Sequence, residues 1–159
     1  MYKNTATQSG FTLIELLIAM TILSILMTLA IPVYFDHQAK GQLSEAVTLG
    51  GAHRVNIEDY ILNNGVFPPD SETQSLVPWS EEVDGEIINR YPSIGTVKLV
   101  PESSRPKAGS IDIQIADSNQ VSSQIRGGLV QFRRTESGSW YCLSDIDADF
   151  LPKGCRTTQ

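Results

Sequence analysis

The sequence predicts an α+β fold: a long N-terminal helix, transmembrane in its first half, packs its second half against a four-stranded antiparallel sheet. Three observations lead there. Between Phe11 and Ile31 Glu15 is the only formal charge in an otherwise apolar run. Between Leu43 and Ile61 the apolar residues recur on one helical face. Between Thr96 and Leu143 four short runs rich in branched and aromatic residues are separated by turn-forming Gly, Pro and Ser.

Residues 1–10 are polar and carry Lys3 as their only charge, which fits a cytoplasmic N-terminus. A secretory signal is cut after its apolar region, at a small-x-small pattern. Here the small residue, Gly10, lies before that region, so cleavage after it would leave the apolar helix in place with a new amine on Phe11. Residues 11–31 then match the length of about 20 apolar residues that crosses a hydrocarbon core as a helix. Glu15 is costly in such a helix, on the order of 2.5–3.5 kcal/mol at mid-membrane and less nearer an edge, which marks it as functional. Pro32 removes a backbone donor and should kink the helix or loosen one turn.

The head is expected over 32–159, opening with an amphipathic helix over 32–62. Leu43, Ala46, Val47, Gly50, Ile57 and Ile61 form its apolar stripe. Arg54 falls inside the stripe, so that turn lies near the core's edge or uses the arginine stem as cover. Gly50-Gly51 weakens the helix by roughly 1 kcal/mol per glycine relative to Ala. The apolar phase continues across the pair, so the helix is expected to run on until Asn63-Asn64-Gly65 and Pro68-Pro69 stop it. At about 1.5 Å per residue the helix from Phe11 to Leu62 is roughly 78 Å long. Its first half has no partner within the chain, so lipid or other copies must cover it.

Residues 66–95 read as a loop with four prolines and an acidic run, which Trp79 and Tyr91 pin to the core. The sheet is expected over 96–143, in strands at Thr96–Val100, Ser110–Ile115, Leu129–Arg134 and Ser139–Leu143, with Ile111, Ile113 and Ile115 on the buried face. Short turns between them imply an antiparallel meander lying on the amphipathic helix. A final segment runs to Cys155.

The 159 residues favour one compact domain, of which roughly 95 lie beyond the helix, enough for a small core. A net charge of −6 argues against broad nucleic-acid affinity, which comes from neutralising phosphates. The charge is uneven. Asp70, Glu72, Glu81, Glu82, Asp84 and Glu86 have no Lys or Arg among them, while the chain from Lys98 onward is slightly basic. The acidic run is either a solvated loop or a surface that meets a basic surface on a neighbouring copy. The two cysteines, Cys142 and Cys155, read as a disulfide closing the loop 142–155, worth roughly 3 kcal/mol through the unfolded state.

Gly10-Phe11-Thr12-Leu13-Ile14-Glu15, followed by an apolar segment ending Ala30-Ile31-Pro32, resembles the processing site of type IV pilins and related pseudopilins. Ser44-Glu45-Ala46 and Tyr60-Ile61-Leu62-Asn63-Asn64-Gly65 resemble the long helix of type IVa major pilins, and Trp140-Tyr141-Cys142 with Ile146 to Arg156 resembles their C-terminal disulfide loop. Residues 66–138 match only in layout. The resemblance implies a leader over 1–10, cut by a prepilin peptidase after Gly10, and N-methylation of Phe11. It implies that Glu15 pairs with the Phe11 ammonium of a neighbouring subunit, since the helix by itself is expected to give that carboxylate no partner. It implies a homo-oligomeric helical filament, held in the bacterial inner membrane as a precursor and then extracellular as a pilus. Such a pilus would serve adhesion, twitching motility or DNA uptake. The family usually carries Gly where this chain has Ser24, so local unwinding in the fibre would rest more on Pro32.

Two other readings stay open: a pseudopilin of a type II secretion system, which the disulfide loop argues against, and a minor pilin that binds DNA for uptake. Arg105, Lys107, Arg126, Arg133, Arg134, Lys153 and Arg156 would give the latter a scattered basic surface, although Arg133 and Arg134 should point to opposite faces of their strand. Asp145, Asp147 and Asp149 alternate like the start of a calcium loop without its Gly and Glu, so turn capping is the expected use. His37 and His53 have no nearby nucleophile. No enzyme, cofactor or metal is expected.

Overall fold

A computed structural model describes residues 10–84 and 86–158, so the expected leader, apart from Gly10, lies outside the described residues. The chain divides into two units, the first ending at Phe35 and the second beginning at Asp36.

Helix α1 (Leu13–Ala52) starts within the first unit and continues through Pro32. Because Pro32 has no N–H, the Thr28 carbonyl is left without its usual partner one turn on. In the first unit every described residue is exposed, including Leu17, Ile18, Leu26 and Phe35. The hydroxyls of this stretch turn back onto their own helix: Thr21 Oγ1 donates to Leu17 O, Ser24 Oγ to Met20 O and Thr28 Oγ1 to Ile25 O, at 2.7–2.8 Å. A helix that satisfies its own polar groups is suited to an apolar surrounding. By length and composition the helix can cross a membrane.

In the second unit the helix is not continuous, as the apolar phase had suggested. It breaks at His53 (φ −90°, ψ 1°) and resumes as α2 (Arg54–Asn64). The hitch follows Gly50-Gly51-Ala52, three residues with little side chain to hold the helical backbone. The phase survives it: Leu43, Ala46, Ile57 and Ile61 are all buried. Gly65, at φ 74°, closes α2 by donating its N–H to Ile61 O at 2.8 Å, the stop that the asparagine-glycine sequence predicts.

The main sheet has five strands, not four, and is not wholly antiparallel. β3 (Ile94–Pro101), β4 (Gly109–Ile115), β5 (Leu129–Arg134) and β6 (Trp140–Ser144) form the expected antiparallel meander, and β7 (Cys155–Thr157) adds in parallel beside β6. Successive turns between Asp147 and Cys155 bring the chain back in the direction of β6. Three residues are too few to show a strand's alternation, which is why β7 was not legible. Cys142 and Cys155 stand directly opposite in this pair, with Cα atoms 4.4 Å apart, and are joined by the disulfide.

The segment 66–95 is more structured than a loop. It holds a 3₁₀ turn (Asp70–Glu72), the short helix α3 (Thr73–Leu76) and a separate hairpin of β1 (Ser80–Val83) and β2 (Glu86–Asn89). Asp84-Gly85 is a strong hairpin signal, and Asp84 takes the positive φ, 52°, that such a turn needs. The acidic flanks, poor strand formers, hid it. Trp79 and Tyr91 do pack on the core. The outer edge of β3 is covered too, because Leu99 N–H donates to Asp70 Oδ1 and Thr73 Oγ1 at 3.1 and 3.2 Å.

The core lies between the helices' stripe and the inner sheet face of Val97, Leu99, Ile111, Ile113, Ile115, Val130 and Phe132. Gly50 sets how closely they approach, since a Cβ there would lie 2.3 Å from the Phe132 ring.

Candidate functional site

Three places carry the chemistry: the start of α1, the disulfide-bearing edge of the sheet, and an ion-paired cluster that the sequence did not reveal.

At the start of α1, Thr12 and Glu15 form a capping box. Glu15 N–H donates to Thr12 Oγ1 at 3.3 Å, while Glu15 Oε2 accepts from Thr12 N at 2.9 Å and Thr12 Oγ1 at 2.8 Å. The reciprocal pattern satisfies backbone donors that an N-terminal turn leaves open. This corrects the expectation that the helix gives Glu15 no partner. The signal was present as Thr-x-x-Glu ahead of an apolar run. Among the described residues only Oε2 is engaged, and Oε1 has no hydrogen-bond donor. Gly10 and Phe11 precede the helix and are exposed, Phe11 at 82%. The peptide bond between them thus lies outside the helix.

At the far edge, the disulfide, Trp140 and Tyr141 line a cleft of about 230 Å³ together with residues of α1 and α2. Arg54, the charge inside the apolar stripe, lies at the core's edge with its guanidinium 5.7 Å from the Phe132 ring centre.

Between α2 and the sheet, Glu58 receives two hydrogen bonds from Arg134, Nε to Oε1 at 2.7 Å and Nη2 to Oε2 at 2.9 Å. Trp140 Nε1 donates to the same Oε1 at 2.6 Å. Arg134 Nη1 goes on to Lys107 O and Thr135 O at 2.7 and 3.1 Å. The Arg134 side chain is only 7% exposed. Arg134 holds the Glu58 carboxyl below its ordinary range, burial opposes the shift, and Trp140 adds to it. Nothing in the local sequence pairs residues this far apart.

These contacts shrink the scattered basic surface. Arg133 and Arg134 do point to opposite faces, so Arg134 is buried against Glu58, while Arg105 pairs with Glu102. Asp145 Oδ1 accepts from Leu129 N at 2.6 Å and Asp147 Oδ1 from Asp149 N at 3.1 Å, which are backbone-capping roles. Among the described residues no three His, Cys, Asp or Glu side chains gather in a metal-binding group. His53 sits in the helix hitch, where burial lowers its pKa, and its Nδ1 lies 3.2 Å from Asn56 Nδ2.

Comparison with known proteins bears on these places. Residues 39–156 match the family model described as pilin (bacterial filament), and residues 5–31 match the prokaryotic N-terminal methylation motif. The chain is 33% identical over 154 residues to the fimbrial protein EcpC of Eikenella corrodens, covering 94% of this chain and 91% of that relative. It is 32% identical over 145 residues to a fimbrial protein of Neisseria meningitidis serogroup B, covering 89% and 76%. It is 28% identical over 169 residues to the type IV major pilin protein PilE1 of Neisseria gonorrhoeae, covering 94% of each. With its apolar N-terminal helix, its methylation motif and its disulfide-bonded α+β head, the chain belongs to the pilin family of bacterial filaments and is a type IV pilin.

Proposed function

We propose that this pilin is cut after Gly10 by a prepilin peptidase, methylated on the Phe11 amine, and polymerised through its N-terminal helix into an extracellular pilus. The observation that carries the proposal is the first unit: among its described residues an apolar helix with none buried, carrying Glu15 in its first turn, within the methylation motif. That surface needs lipid before assembly and neighbouring helices after it. In the filament core the free Oε1 of Glu15 accepts the Phe11 ammonium of a neighbouring subunit, while Oε2 stays with Thr12. Leader 1–10, core helix 11–31 and head 32–159 are the working parts. Pro32, with its missing donor, is where the helix yields in the fibre.

The experiment is mass spectrometry of filaments sheared from cells that express the full chain. A dominant species that starts at methyl-Phe11 with Cys142–Cys155 intact is expected. Filaments built of chains that still carry Met1 would defeat the reading. Glu15→Ala and Glu15→Gln refine it. Glutamine can still accept from Thr12 but has no charge for an ammonium, so both variants should lose filaments if the pair matters. If Glu15→Gln assembles like wild type, the carboxylate serves only as a cap.

A further inference from the structure

We propose that the acidic tip of the β1–β2 hairpin, at Val83, Asp84 and Glu86, seats in the cleft bounded by Arg54, Trp140 and Lys153 of a second copy. The inference rests on the filament reading and names the contact between heads.

The cleft is apolar at its floor and cationic at its rim. Its lining combines buried Phe132 and Cys142, bonded to Cys155, with half-buried Arg54 and exposed Lys153. Arg54 is half-buried and spends its Nε–H on Gly51 O at 3.2 Å. Among the described residues neither Arg54 nor Lys153 forms an ion pair, and Glu58, one turn from Arg54, is engaged by Arg134 and Trp140. Two cations beside an aromatic floor present a surface that anionic groups with an apolar companion would complete.

The hairpin offers that chemistry. Asp84 and Glu86 are exposed and form no ion pair among the described residues, whereas Glu81 is already held by Arg90 at 2.6 Å. Val83, 42% exposed, stands beside them as an apolar knob. A valine against Trp140 with two carboxylates toward Arg54 and Lys153 matches both the apolar and the charged halves of the cleft.

Topology says that the occupant is another copy. The hairpin leads into β3, at one edge of the five-stranded sheet, while the cleft lies beside β6 and β7 at the other. Cleft and hairpin therefore cannot meet within one head. A contact between different patches is heterologous, and when its rotation does not close, it propagates as an open helical filament. A chain with a net charge of −6 repels its own copies at long range, so attraction between heads must come from local complementarity such as this.

The test reverses the charges on each side in the full chain and measures the yield of sheared filaments. Asp84→Lys with Glu86→Lys, and separately Arg54→Glu with Lys153→Glu, should each lower the yield about tenfold. Joining all four changes in one chain should restore it. Arg54 touches the core, so protection of the native disulfide and thermal unfolding are checked for each variant; the exposed Lys153→Glu carries the test where Arg54→Glu misfolds. Wild-type yields from both reversals, or no recovery in the fourfold variant, would overturn the docking and leave the pilin reading intact. Unchanged yield with lost retention of double-stranded DNA on filaments would assign the cleft to nucleic acid and equally overturn it. Absence of the wild-type chain from filaments would instead defeat the filament reading itself.

Discussion

Glu58 ties three parts of the head with two oxygens: α2 through its own backbone, β5 through Arg134, and β6 through Trp140. Arg134 is almost wholly buried, so removing its counter-charge leaves an uncompensated ion in the core. Glu58→Gln should therefore destabilise the head by about 2–3 kcal/mol, as read from denaturant unfolding of the full chain in detergent. Its pH signature is separable. The folded-state pKa of Glu58 is depressed, so its contribution is complete above the ordinary value of 4.5 and is lost as pH falls through the lower native value. The acid limb of the stability curve should flatten in Glu58→Gln, and an unchanged limb would show that other carboxyls govern it. This cluster was illegible because its members lie far apart in the chain. The Thr12–Glu15 box was legible, since it needs only a hydroxyl and a carboxylate three residues apart ahead of an apolar run.

At the scale of elements, glycine has opposite effects at two neighbouring positions. Helix propensity alone says that Gly50→Ala should stabilise α1. The Phe132 ring occupies the space that a methyl group would need, with Ile113 close behind. Overpacking should win, at a cost of about 1–3 kcal/mol in unfolding free energy. Gly51, whose added Cβ would meet only the end of the Arg54 side chain at 3.7 Å, should tolerate alanine or gain from it. A stabilised Gly50→Ala protein would show that the helix and sheet can move apart. Elements with a strong local period were readable: the stripe from Leu43 to Ile61, and strands β3 to β6. Those without one were not. β7 is held by its pairing with β6 and the disulfide rather than by its own pattern, and β1 and β2 are built from residues that read as a charged loop. Reducing Cys142–Cys155, which closes a separation of 13 residues, should lower head stability by about 3 kcal/mol and expose the amides of β7 first to hydrogen exchange. Uniform loss of protection across the sheet would contradict that order.

At the scale of the whole molecule, the two units answer to different solvents. The second unit owns a core, with apolar residues of helix and sheet buried against one another, and among the described residues no member of that core comes from before Ala39. Among its described residues the first unit buries none and presents apolar residues on every side. Their stabilities should therefore be independent, because the head's core draws its residues from the second unit. A fragment beginning at Asp36 should stay monomeric without detergent and unfold at the same temperature as the head of the full chain in micelles. The full chain should sediment as aggregates once detergent is withdrawn, since so large an exposed apolar surface finds its own copies. Glu15→Gln should leave head unfolding unchanged while altering filament yield, because no core residue lies near it in the chain. Were the fragment to lose several degrees relative to the full chain, the first unit would be contributing to the head's fold. Glu15 variants would then have to be reread as stability mutants before any assembly role was drawn from them.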